Sequence, residues 1–274
     1  MRPERIVCLT AETTEIAFAL GCGDRVVGVS GYAVRPPEAR KKPHVAAFQT
    51  AHVDRILALK PDIVLAFSDL QADIVAELVR RGSNVLVTNQ RTLEETYGAI
   101  AAIAGVLGEW ERGEALIAEM RAEFDRIGER AAALPRRPRV YFEEWDDPLI
   151  SGIAWVGELI DLAGGEDVFP ELRNGKTAPE RVVRPDEVAR REPELIVASW
   201  CGKKFRPERV FARPGWDRLP AVQKGHVYEI KAPDILQPGP SLVHGARQLA
   251  GMIERVAAGY EPEDGVTGPG STAK

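Results

Sequence analysis

Hydrophobic and polar positions follow two periods along this chain. Short runs rich in β-branched and aliphatic residues, such as "IVCL", "IVLAF" and "LIVA", are bounded by polar residues. Longer stretches place apolar residues three and four apart. The first pattern predicts strands buried on both faces and the second predicts amphipathic helices. Strands are expected near 5–9, 25–30, 62–67 and 84–88, and again near 138–143, 195–199 and 226–230. Buried strands alternating with helices predict an α/β fold built on parallel sheets.

The pattern repeats. "VDRILALKPDIVLAF" (53–67) and "PDEVARREPELIVASW" (185–200) each carry an amphipathic stretch, a proline (Pro61, Pro193), an acid, and an apolar run closed by an aromatic residue. Proline ends the helix because it lacks an N–H and clashes with the preceding turn. Upstream of each lies a helix ending in glycine, "TEIAFALGCGDRVVGVS" and "VGELIDLAGGEDVF". Glycine at that place supplies a left-handed cap. Two pairs in the same order predict a duplicated unit and hence two Rossmann-like lobes.

Between them, Trp110, Leu116, Ile117, Met120, Phe124 and Ile127 keep a helical spacing up to Pro135. One helix over 109–133 is about 37 Å long at 1.5 Å per residue and is expected to join the lobes. A core helix of a single domain is the alternative. The expected organisation is a first lobe over 1–108, a linking helix over 109–134, a second lobe over 135–258, and a disordered tail over 259–274. The tail lacks a periodic apolar face.

The chain's 274 residues, 45% of them hydrophobic, suffice for two small lobes. A net charge of −5 gives no basic footprint for nucleic acid. No apolar run approaches the roughly 18 residues of a membrane span. The opening "MRPERIVCLT" runs straight into a strand and shows no secretory signal. Read as written, the sequence is expected in the cytoplasm; with a leader outside it, in the periplasm or at the cell surface. Cys8, Cys22 and Cys201 are far apart and are expected to be reduced packing residues.

Ligands of open parallel sheets bind beyond the carboxyl ends of the strands. Aromatic residues gather at those predicted ends: Tyr32, Phe48 and Phe67 in the first half, and Trp145, Trp155 and Trp200 in the second. Each taken alone fits local packing. Together they predict an aromatic-walled cleft for a large, flat, partly apolar ligand.

These residues carry a resemblance. "TEIAFALGCGDRVVGVSGYAVRPPEARKKPHVAAFQTAHVDRILALKPDIVLAF" resembles the first lobe of vitamin B12-binding proteins that serve ABC importers. More broadly, residues 4–256 are similar to the iron-siderophore and cobalamin class of substrate-binding proteins, with a class III periplasmic-binding-protein fold. The resemblance implies that Tyr32, Phe48 and Phe67 meet a corrin ring, with phenylalanine at 48 and 67 where the family carries tryptophan. In the second lobe "PLISGIAWVGELIDLAGGEDVF" fits less closely. It implies that Trp145, Ser151, Gly152 and Trp155 stand at the cleft mouth, and Trp200 opposite Phe67. It also implies a docking carboxylate on each lobe for the importer permease. Asp73 matches the first, while the second falls on Gln237, so an importer partner is in doubt.

The acids of "EEWDDP" (143–148) fit a solvated turn, or a surface on which Trp145 stacks while acids accept hydrogen bonds from ligand amides. Adjacent strand residues point to opposite faces, so Glu143 and Glu144 do not form a glycosidase pair. No HExxH, GxSxG or Walker A pattern occurs. His44, His52, His226 and His244 are isolated, and no metal site is predicted. The expected function is non-catalytic binding of a cobalamin-like corrinoid by a monomer, as ligand rather than catalytic cofactor. The alternatives are a ferric-siderophore or heme binder, for which Lys203, Lys204 and Arg206 would have to face the ligand, and an enzyme or assembly factor of nitrogenase-like architecture.

Overall fold

The structure is a computed structural model that describes residues 2–260. All but the first two residues of the expected tail lie outside the described residues. The described residues group into two compact units, 2–121 with 237–241, and 122–236 with 242–260.

In the first unit the elements are β1 (Ile6–Cys8), α1 (Ala11–Ala19), β2 (Val26–Ser30), β3 (His44–Ala46), α2 (Val53–Ala58), β4 (Ile63–Phe67), α3 (Ala72–Arg80), β5 (Val85–Thr88) and α4 (Leu93–Leu107). The helix α5 (Trp110–Ala132) spans the division between the units. The five strands are all parallel, in the order β3-β2-β1-β4-β5. Every residue of β4, "IVLAF", is buried, as expected of a strand covered on both faces. Val7, Leu9, Val45, Ile56, Val64 and Leu78 form a core between the sheet and helices α2 and α3. The helix α4 starts on a reciprocal cap: the Glu95 N–H donates to the Thr92 hydroxyl at 3.1 Å, and the Thr92 N–H donates to the Glu95 carboxylate at 3.2 Å. It ends on Gly108 at φ +71°, a conformation that glycine adopts without a Cβ clash.

The second unit holds β6 (Arg139–Asp146), β7 (Leu149–Ser151), α6 (Ala154–Leu162), β8 (Glu166–Asp167), α7 (Pro185–Arg190), β9 (Leu195–Ala198), α8 (Pro207–Phe211), α9 (Pro220–Gln223), β10 (Val227–Glu229), α10 (Ala232–Ile235) and α11 (Leu242–Ala257). Its sheet runs β10-β9-β6-β7, with β8 also paired to β6. This sheet is not wholly parallel as expected. The strand β6 runs on to Asp146, turns at Asp147-Pro148, and β7 returns antiparallel beside it. A hairpin needs only a two-residue turn, whereas a parallel neighbour needs a long crossover. The short strands β3, β7 and β8 were not among those expected from the sequence.

The internal echo extends to backbone detail. Lys60 and Glu192, each just before the proline of its copy, sit at φ +46° and +45°. A following proline disfavours the right-handed helical region, so both copies leave the helix the same way. The acid after each proline then caps the start of the neighbouring strand. One Asp62 oxygen accepts from the N–H groups of Glu4 and Arg5, at 2.8 and 2.9 Å. A Glu194 oxygen accepts from the Arg139 N–H at 3.0 Å. The repeated acid is therefore architectural in both units.

Candidate functional site

The carboxyl ends of β2, β3 and β4 lie at one end of the first sheet because the strands are parallel. Tyr32 follows β2 and is exposed. Phe48 is at the tip of a tight turn in which the Ala47 N–H donates to the Thr50 carbonyl at 2.7 Å, and it too is exposed. Phe67 ends β4 and is buried, with the Arg91 guanidinium 5.5 Å from its ring centre. Arg91 is held there by Asp69 at 2.8 Å.

A buried glutamine that the sequence reading passed over fastens this rim. Gln71 accepts from the Phe67 N–H at 3.1 Å and donates to the Phe48 carbonyl at 2.9 Å, and its amide reaches the Leu9 carbonyl at 3.5 Å. One side chain thereby joins the ends of β1 and β4 to the loop carrying Phe48. The strand order breaks at β1 and β4, the switch point where open α/β sheets place ligands. Glu12, beside that point on the first turn of α1, is buried, and its Oε1 has no hydrogen-bond partner. Burial pushes its carboxyl up to about 7, against the opposing pull of the Thr10 hydroxyl. Asp73 is exposed on the first turn of α3. Gln237 is partly exposed, in the short segment that groups with the first unit.

In the second unit the acids of "EEWDDP" are largely spoken for. Glu143 is fully buried. Its two oxygens accept from the Arg213 guanidinium at 2.6 and 2.9 Å, and one also accepts from the Trp200 indole N–H at 2.9 Å. Burial pushes this carboxyl up, and Arg213 and the indole oppose that shift. Glu144 pairs with Arg181 at 2.5 Å. Asp146 is buried, with one oxygen taken by Lys203 and the other by Arg209 at 2.5 Å. Only Asp147 is exposed. The expectation of a solvated turn, or of acids free to meet ligand amides, is thus corrected for three of the four. The reason is a bulge: register against β7 slips between Glu143 and Trp145, so Glu143 and Asp146 both turn inward.

The remaining predicted residues divide by exposure. Trp145 is half-buried and donates its indole N–H to the Asp147 carbonyl at 2.9 Å, with the Lys203 ammonium 4.7 Å from its ring centre. Trp200 is buried against Phe205, ring centres 5.0 Å apart. Trp155 is buried and donates to the Ile235 carbonyl at 2.8 Å. Ser151 is buried and donates to the Arg181 carbonyl at 3.2 Å. A Cβ added at Gly152 would lie 3.1 Å from Val156 and 3.3 Å from Phe142, so this glycine lets α6 approach β6. The structure brings Trp145 and Trp200 together through Lys203, which lies 5.8 Å from the Trp200 ring centre. Ser151 thus ties the end of β7 to the Arg181 segment, and Trp155 ties α6 to α10. Among the described residues, no three His, Cys, Asp or Glu side chains converge as a metal site.

A sequence model for the periplasmic binding protein family matches residues 6–233. A vitamin B12-binding protein of Pectobacterium carotovorum is 27% identical over 265 residues, spanning 94% of this chain and 91% of that protein. Among solved structures, the periplasmic vitamin B12 binding protein of Vibrio cholerae superposes with a TM-score of 0.75 at 26% identity, covering 93% of this chain and 98% of the other. A periplasmic heme-binding protein from Roseiflexus sp. RS-1 gives 0.81 at 25% identity, covering 93% and 99%.

Proposed function

We propose, on the premise that this chain belongs to the periplasmic binding protein family, that the solute it binds is a corrinoid of the cobalamin type. The observation that carries the reading is the set of ring faces near strand ends: Tyr32 and Phe48 exposed in the first unit, and Trp145 half-buried against the core that holds Trp200 in the second. Exposed aromatic faces held by backbone hydrogen bonds suit a large flat ring, which gains from apolar burial and stacking. The B12-binding relatives at 26% and 27% identity support the choice of ring. Binding without turnover is the activity proposed.

In this reading Tyr32, Phe48 and Trp145 touch the ligand. Phe67 and Trp200 back them, and Ser151, Gly152 and Trp155 hold the second rim in place. Asp73, exposed on α3, is the proposed contact with an importer permease.

Titration with hydroxocobalamin, followed by calorimetry and the visible spectrum, is expected to give saturable 1:1 uptake. Burying one aromatic face is worth roughly 1.5–3 kcal/mol. Phe48→Ala and Trp145→Ala should therefore each weaken binding about ten- to hundredfold. Absence of corrinoid uptake by the unaltered chain sinks the reading, and uptake of hemin alone replaces it with heme binding, which the Roseiflexus match supports. Equal affinity in both variants removes the proposed ring contacts.

A further inference from the structure

The loop after β9 and the helix α8 carry an unusual charge balance. Residues 201–213, "CGKKFRPERVFAR", hold five basic side chains, Lys203, Lys204, Arg206, Arg209 and Arg213, against one acid, Glu208. The whole chain is acidic, at −5. Two buried acids of β6 answer this loop. Glu143 takes Arg213 alone, in a two-oxygen pair that is internally neutral. Glu144, next to it, is neutralised by Arg181 from elsewhere.

Asp146 is different. This single buried carboxylate is shared, with one oxygen on Lys203 and the other on Arg209. One negative charge facing two positive charges leaves an excess of one. The excess stands at the surface: the Lys203 and Arg209 side chains keep 35% and 50% of their exposure, while Asp146 keeps 2%. Lys204 and Arg206 on the same loop are exposed and are matched in number by exposed Asp147 and Glu208, so the excess rests on Lys203 and Arg209.

The two cations are also placed on the aromatic rim. The Lys203 ammonium lies 4.7 Å from the Trp145 ring centre and 5.8 Å from that of Trp200, and the Arg209 guanidinium is 5.9 Å from Trp200. Ring quadrupoles hold a cation at this range without neutralising its charge. A ligand laid on Trp145 would therefore carry its edge past two cations that share one counter-charge.

We infer that Lys203 and Arg209, anchored by Asp146, form an anion-recognition element that selects a flat macrocyclic ligand bearing an anionic substituent. The inference rests on reading this rim as the ligand surface. The same chemistry has two sources, the phosphodiester of a corrinoid's nucleotide loop and the propionates of a heme. For a corrinoid it assigns Lys203 and Arg209 to the phosphodiester.

Three probes separate these cases: cobalamin, which has the phosphodiester; cobinamide, the corrinoid without it; and hemin, with two carboxylates. The unaltered chain is expected to bind cobalamin at least tenfold more tightly than cobinamide, and added salt should narrow the gap. Lys203→Met and Arg209→Met, each checked for an unchanged thermal midpoint, are expected to lose cobalamin affinity about tenfold and leave cobinamide affinity unchanged. Equal weakening of both corrinoids, or no change in either variant, overturns the inference. If neither corrinoid binds but hemin does, the corrinoid reading falls, and the element is judged on hemin: a tenfold loss in the variants supports it and no loss overturns it. Uptake of none of the three overturns both.

Discussion

Arg213→Met is expected to destabilise the chain by about 3–5 kcal/mol, because it strands a buried carboxylate without its counter-charge. Glu143 has no exposed surface, and Arg213 supplies the only cation within its hydrogen-bonding shell among the described residues. The Trp200 indole N–H remains, but a neutral donor does not replace a guanidinium. The urea midpoint should fall accordingly. The deficit should also depend on pH. A stranded Glu143 keeps its proton to a higher pH in the folded state than in the unfolded one, so stability is lost as pH rises, and the deficit is larger at pH 8 than at pH 5. Neutralising the other partner as well, in Glu143→Gln with Arg213→Met, should recover most of the loss. A single variant with an unchanged midpoint at pH 8 would show that the pair contributes nothing.

Glu12→Gln is expected to act in the opposite direction. Burial raises the Glu12 carboxyl from the usual 4.5 to about 7. The folded state therefore holds a proton there that the unfolded state releases near 4.5. The associated stability is fully present below 4.5 and is lost as pH climbs to about 7. A shift of this size corresponds to about 3 kcal/mol. The unaltered chain should accordingly be less stable at pH 8 than at pH 5. Glu12→Gln should flatten that slope and raise the urea midpoint at pH 8, with little change at pH 5. Identical slopes in the two chains would remove Glu12 as the source. A carboxyl kept under such cost beside the switch point, with one oxygen unpartnered, marks where this unit departs from its most stable sequence.

Much of the architecture was legible because it is written in local pattern. The strands "IVLAF" and "LIVA" are continuous apolar runs, α5 has a sustained helical spacing, and the proline-acid punctuation recurs in both units. That Tyr32, Phe67 and Trp200 stand at strand ends was legible as well, since position after a strand fixes which end of a parallel sheet a residue occupies. The fate of each ring was not. Phe48 and Trp155 look alike in sequence as aromatic residues in loops or early helix turns. Yet one tops an open turn, and the other is sealed by a carbonyl 80 residues away in the chain.

The acids beside Trp145 make the same point more sharply. Side-chain alternation established that Glu143 and Glu144 face apart, and they do take different arginines. What neutralises the acids was invisible, because Arg213 lies 70 residues from Glu143, Arg181 lies 37 from Glu144, and Lys203 lies 57 from Asp146.

The sequence by itself determined the two α/β units and their repeated helix-proline-acid-strand motif, since each depends on residues within a few positions of one another. Only the tertiary structure decided which rings stay open, that Gln71 ties the first rim, and that three of the four acids beside Trp145 are paired while Asp146 answers two cations. Those outcomes depend on charges and hydrogen-bond partners that meet only when distant segments pack, and no local period records them.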